Sequence, residues 1–155
     1  MVMAHELEGI LSGMRAGLGL QRALYESGSA FLQQAFQDAD WFLTVAHNLL
    51  RDEMLSAGYT DATKVAQSIS LANDHQDVGV LSVFGGERIV DVTQFTPRGH
   101  YVNSEGLTRN FKSMMWLLRF DFGLTLATVS DMSPEEAKAV ALRNCFECLF
   151  CSGIS

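Results

Sequence analysis

The sequence predicts a mainly α-helical fold with one small β-hairpin, and three observations carry that reading. Apolar residues recur at three- and four-residue spacing over most of the chain, as they do along one face of a helix. Proline, which interrupts helices, occurs only twice in 155 residues, at Pro97 and Pro134. One stretch alone, residues 78–92, changes to short β-rich runs, and these flank Gly85-Gly86 as hairpin strands flank a turn. Four to six helices alternate with short connections. No Pro/Gly/Ser linker, repeat or low-complexity tract divides them, so residues 1–155 read as a single helical domain. At this length a fold buries roughly 70% of the surface its unfolded chain exposes, enough for a core.

The first predicted helix covers about residues 4–25, with Leu7, Ile10, Leu11, Met14 and Leu18 in its apolar rhythm. Gly9, Gly13 and Gly17 fall on another face. They either weaken the helix, at about 0.5–1 kcal/mol each, or form a groove for a closely approaching backbone. Ser27-Gly28-Ser29 breaks the pattern. A short helix through Phe31, Leu32 and Phe36 comes next, then a stronger one capped by Asp38 or Asp40 and running to about Ala57. Phe42, Val45, Ala46, Leu49 and Leu50 form its stripe, and Gly58 is placed to end it. Thr60 or Asp61 starts the next helix, with Ala62, Val65, Ala66, Ile69 and Ala72 inward, and Asn73-Asp74-His75 stops it. After the hairpin, Pro97 biases Thr96 to an extended shape. Asn103 or Ser104 caps a helix whose first turn holds Glu105 and whose buried face is Leu107, Phe111, Met114, Met115 and Leu118. Ser133-Pro134-Glu135-Glu136 opens a last helix that runs through Ala137, Val140, Ala141 and Leu142 into the cysteines.

Composition excludes several function classes. The hydrophobic fraction of 48% and charged fraction of 19% suit a globular protein with apolar surface left for a partner or for further chain. A net charge of -7 argues against nucleic-acid binding, which counterion release from phosphates drives. No apolar run approaches the roughly 18 residues of a membrane span. The N-terminus, Met-Val-Met-Ala-His-Glu-Leu-Glu, has neither a basic start nor an apolar signal core. Three cysteines make no disulfide framework and suit a reducing compartment. If the chain is complete, these features predict a cytoplasmic protein.

The richest chemistry lies in Arg98-Gly99-His100-Tyr101: a permanent cation, a switchable acid/base and a phenol on one loop. Arg98 could hold a carboxylate or phosphate while His100 moves a proton. Alternatively, the arginine and histidine tie the loop down and the tyrosine ring packs. Arg109, Lys112, Trp116 and Arg119 share a face of the following helix. That face suits an anion or acidic partner, or is simply solvated, with Trp116 half covered by aliphatic stems. Cys145, Cys148 and Cys151 have iron–sulfur spacing but lack a fourth thiolate, and read as core residues of a helix. Asp74-His75-Gln76-Asp77 reads as helix-end chemistry rather than a metal loop, and Asp52-Glu53 as a poor catalytic pair. His5 and His47 are scattered. There is no nucleotide-binding glycine fingerprint and no nucleophile elbow. Neither a metal nor a cofactor is expected.

The block Gln94-Phe95-Thr96-Pro97-Arg98-Gly99-His100-Tyr101-Val102, then Ser104-Glu105, Leu107, Phe111, Met114-Met115-Trp116-Leu117 and Arg119, resembles the signature of the uncharacterised domain of unknown function 3160 family. The resemblance spans about Val83 to Phe122. Val102 stands where the family's block carries threonine, and Ser113 where it carries alanine. Family members are several times longer and many look exported, so the resemblance implies a fragment or short version. It implies a helical fold, and no activity.

Three functions fit these readings. The first is a structural or protein-interaction module, with a protein partner, further chain or a second copy covering its apolar surface. The second is a module binding an anion or acidic peptide through Arg98, His100, Tyr101, Arg109 and Lys112. The third is an enzyme with His100 as acid/base, assisted by Tyr101 and Arg98.

Overall fold

One helix lies at the centre and the other elements pack around it. The computed structural model describes residues 2–51, 54–74, 78–83 and 86–119, the side chains of Val2, of residues 82–83 and 86–89, and of Arg119 excepted. The expected helix from Ser133, its cysteines Cys145, Cys148 and Cys151, the Asp52-Glu53 pair and the His75-Gln76-Asp77 turn lie outside the described residues. Four α-helices occur among those described: α1 (Val2–Glu26), α2 (Ala30–Leu50), α3 (Ala62–Asp74) and α4 (Glu105–Arg119). Between α3 and α4 stand an antiparallel pair, β1 (Val78–Val83) and β2 (Gly86–Asp91), and two 3-10 turns, Val92–Phe95 and Gly99–Val102.

The break after α1 falls at Ser27-Gly28-Ser29, where the Ser27 hydroxyl donates back to the Ala23 carbonyl at 2.9 Å. Ser29 then caps α2, accepting from the Leu32 amide at 3.4 Å. The expected short helix ending before Asp38 does not form. A single helix runs from Ala30 through both aspartates, because each carboxylate finds a partner away from its own helix. The expected continuation to Ala57 and the stop at Gly58 fail as well. α2 ends at Leu50, because the residues after it fold back and bond to α2 side chains instead. Asn48 Oδ1 accepts from the Leu55 amide at 2.6 Å, and Asp40 Oδ2 accepts from the Tyr59 and Thr60 amides at 2.7 and 2.9 Å. Asp61 starts α3 as expected, accepting from the Thr63 amide at 2.8 Å.

Residues 41–50 are buried without exception, so α2 has no solvent face along that length. α1 covers it with Leu7, Leu11 and Leu18. α3 joins it through Val65, Ala72 and the fully buried Ser68, while Ala62 and Ala66, expected inward, are exposed. The Ser68 hydroxyl is the reason: it accepts from Trp41 Nε1 at 2.9 Å and donates to the Lys64 carbonyl at 2.8 Å, which turns that edge of α3 inward. β1 and β2 pair from Val78↔Asp91 to Val83↔Gly86, the expected hairpin. A Cβ on Gly79 would stand 2.6 Å from the Leu71 methyls, so glycine lets this hairpin seat against α3. Gly9, Gly13 and Gly17 meet nothing within 4 Å of where a Cβ would sit, so no groove forms there among the described residues.

α4 crosses α2 with Ser113 and Trp116 in the seam. The Ser113 hydroxyl donates to the Ala46 carbonyl at 2.8 Å, and Trp116 Nε1 donates to the Phe42 carbonyl at 3.1 Å. The Trp116 ring meets Trp41 edge-on at 5.2 Å and lies 6.3 Å from Phe42 and 6.2 Å from Phe95. This corrects the expected buried face: Trp116 is 1% exposed and Leu118 is 70% exposed. Leu107, Phe111, Met114 and Met115 are half-buried. A carbonyl keeps a second lone pair inside a helix, so α2 can bond α4 without breaking its own ladder.

Trp116→Ala should therefore cost about 3–5 kcal/mol of stability in urea unfolding, while Leu118→Ala should stay within about 0.5 kcal/mol. Asp40→Ala, which strands two loop amides, should cost about 2–3 kcal/mol in the same measurement.

Candidate functional site

The loop of residues 96–104 is built from both ends. Upstream, Asp91 caps the first 3-10 turn: its Oδ1 accepts from the Thr93 amide at 3.0 Å and its Oδ2 from Gln94 Nε2 at 2.9 Å. That turn drives Phe95, 1% exposed, into the core beside Trp116. Thr96 is extended, as the following Pro97 requires. Downstream, Ser104 caps α4 by accepting from the Leu107 amide at 3.3 Å. The Thr108 hydroxyl reaches back to the Tyr101 carbonyl at 2.9 Å.

Between these anchors the chain turns at Gly99, whose φ of +61° is the left-handed conformation that glycine adopts without strain. The second 3-10 turn follows, its Tyr101 amide donating to the Arg98 carbonyl at 3.3 Å and the Asn103 amide to the His100 carbonyl at 3.2 Å. The His100 ring lies 4.0 Å from Tyr101, tilted by 35°, and Tyr101 lies 4.8 Å from Phe111 of α4. A ladder of rings thus leads from solvent down to the helix. Arg98, Gly99 and His100 are exposed, and Tyr101 is half-buried. Among the described residues, no carboxylate pairs with the Arg98 guanidinium and no side chain hydrogen-bonds the His100 ring. The tie expected of this arginine and histidine is therefore absent there, while the tyrosine ring does pack.

The basic face predicted beside the loop divides. Arg109 is half-buried and reaches Glu105 Oε2 at 3.8 Å. Lys112 bonds Asn73 Oδ1 at 2.6 Å, joining α4 to α3, and burial pushes its amine below the usual lysine value. Trp116 leaves this face for the core, and the Arg119 side chain lies outside the described part. The structure therefore brings Arg98, His100 and Tyr101 together and commits Lys112 to helix packing.

The residues that sequence reasoning missed are the polar ones of α2. Asp38 is 1% exposed, accepts from Lys64 Nζ at 2.7 Å and stands on the α3 side. The Lys64 ammonium also lies 4.9 Å from the Trp41 ring centre. The available signal was spacing, since Asp38 falls three and seven residues before Trp41 and Val45 and so shares their face. Among the described residues, no helix is long and apolar enough to cross a membrane. No group of three or more His, Cys, Asp or Glu that could hold a metal ion occurs among them either.

Comparison with known proteins adds a family. The family described as "Protein of unknown function (DUF3160)" matches residues 1–147, extending the resemblance of the loop block over nearly the whole chain. No curated protein and no solved structure matches.

Gly99→Ala should cost roughly 1 kcal/mol in chemical denaturation, because alanine meets the left-handed penalty at this φ. Arg98→Ala and His100→Ala should each stay within about 0.5 kcal/mol of wild type, as exposed side chains do.

Proposed function

The chain belongs to the DUF3160 family, whose function is unknown, and from that premise we propose that it is a protein-interaction module docking an acidic segment on the Arg98–Tyr101 loop. The observation that carries this reading is the exposure of Arg98 and His100 on a loop anchored at both ends. The loop is held by Asp91, Phe95, Thr108 and the Tyr101–Phe111 contact, none of which needs the arginine or the imidazole. Chemically capable groups that do no folding work, on a backbone that does not have to be ordered again, suit recognition. The cation suits a carboxylate, and the exposed imidazole and half-exposed phenol suit its neighbouring side chains.

The enzyme reading draws less support. A general acid or base benefits from a partner that orients its ring and from exclusion of water. His100 is open to solvent, and among the described residues its ring has only a stacking neighbour.

Fluorescence anisotropy with a labelled oligoglutamate peptide tests the proposal. The wild-type chain should bind, and the binding should weaken steeply with added salt. Arg98→Ala, folded and equally stable, should bind about tenfold more weakly, equivalent to roughly 1.4 kcal/mol. Absence of binding by the wild type, or equal binding by the variant, would overturn it.

A further inference from the structure

A second polar contact lies in the seam between α1 and α2, far in sequence from the loop. His47 is 3% exposed, within the buried stretch of α2. Arg15 of α1 reaches it, with Nη1 3.5 Å from the ring's Nδ1. Arginine only donates, so Nδ1 accepts and the neutral ring carries its hydrogen on Nε2. That Nε2 is buried without a hydrogen-bond partner among the described residues, and so is Arg15 Nε. Arg15 directs Nη2 to the Ser56 carbonyl at 2.7 Å.

The seam is badly suited to a second positive charge. Burial is the first cause that holds His47 below the usual histidine range, followed by Arg15 and Arg51; only Glu8 acts the other way. Glu8 is already bridged to Arg51 at 2.8 Å. A proton on Nδ1 would set donor against donor and cation against cation at the Arg15 contact. Leu11 and Leu18, two of the apolar residues that seat α1, lie about one turn to either side of Arg15. Displacing the arginine disturbs both. Three ties between α2 and its other neighbours, Trp41 to Ser68, Ser113 to Ala46 and Trp116 to Phe42, involve no titratable group. Those that do, Asp38 to Lys64 and Asp40 to the Tyr59 and Thr60 amides, contain no histidine, the side chain whose ordinary range lies between about pH 5 and 8.

We propose that α1 is an acid-releasable helix: protonation of His47 loosens it from α2 about the Arg15 contact while α2, α3 and α4 stay packed. The sign follows from linkage. The docked state holds His47 below 6.5, so it binds fewer protons than the released state. Docking is intact above about 6.5 and weakens as pH falls from there through the docked-state value. Release would uncover Leu7, Leu11 and Leu18, apolar surface of the kind that recruits a partner.

Hydrogen exchange of the full chain at about pH 7.5 and about pH 5.5, corrected for intrinsic rates, reads this directly. Protection across residues 7–20 should fall at least about tenfold at the lower pH, while residues 41–50 and 110–117 keep theirs. His47→Gln, which keeps a neutral amide in the seam and takes no proton, should hold α1 protection at both pH values. Unchanged α1 protection in the wild type overturns the proposal. So does an equal loss in His47→Gln, or a uniform loss across all helices. If His47→Gln does not fold, an NMR titration of the wild type decides. An ordinary or raised His47 pKa, or α1 amide signals that ignore the ring's titration, would overturn it.

Discussion

A helix buried along one whole stretch must find a partner for nearly every polar group it carries there, and α2 organises the molecule through that requirement. An unpaired buried polar group costs about 1–3 kcal/mol, so each one selects a neighbour. Asp38 takes Lys64 and Trp41 takes Ser68, both of α3. Asp40 and Asn48 take the backbone of the returning loop, at Tyr59, Thr60 and Leu55. His47 takes Arg15 of α1. The Phe42 and Ala46 carbonyls take Trp116 and Ser113 of α4. Apolar burial supplies the driving force, since leucine, phenylalanine and tryptophan side chains fill the space between. The polar pairs decide which element lies on which side.

The same logic divides the family's signature block into two jobs. Its second half builds the α2–α4 seam, where Trp116 closes an aromatic cluster with Trp41, Phe42 and Phe95. Ser113 adds a hydroxyl that donates to the Ala46 carbonyl, so this polar residue finds its partner inside the core. The first half of the block faces outward. Phe95 and Tyr101 root it, and Arg98 and His100 are what it presents. A motif read as one unit in sequence is thus part core and part surface.

The elements whose stability is local were legible from the residues. Ser27-Gly28-Ser29, Asp61 and Ser104 all act within four residues of where they stand, and the hairpin pairs two strands adjacent in sequence; each does what its type predicts. The failures come from residues whose partners are distant in sequence. Asp38 and Asp40 look like caps because acidic residues prefer helix ends. Only the arrival of Lys64 and of the 59–60 amides makes them tolerable in a buried helix. Trp116 looks amphipathic beside Arg109 and Lys112, and the Phe42 carbonyl, 74 positions away, settles its place. Ser68 was overlooked because a serine is counted as polar, while Trp41 turns it into core. For the loop, the chemical types at Arg98, His100 and Tyr101 were readable, but their division between exposed and packed depended on Phe111.

That division bears on what the loop can do. A side chain kept in place by the fold is already engaged, and its removal is felt as lost stability. Arg98 and His100 are placed differently. Gly99 turns the backbone beneath them, and Thr108 and Ser104 hold the far side. The Tyr101 ring gives the imidazole a platform without consuming either of its nitrogens. A ligand would therefore meet groups in a defined arrangement and would not have to order the backbone that carries them, the main cost that weakens binding by mobile loops. The Arg15–His47 contact is the opposite case, because there the fold consumes the charged group and leaves two buried nitrogens without partners among the described residues. The exposed loop groups are left out of the packing, whereas the Arg15–His47 contact is part of it.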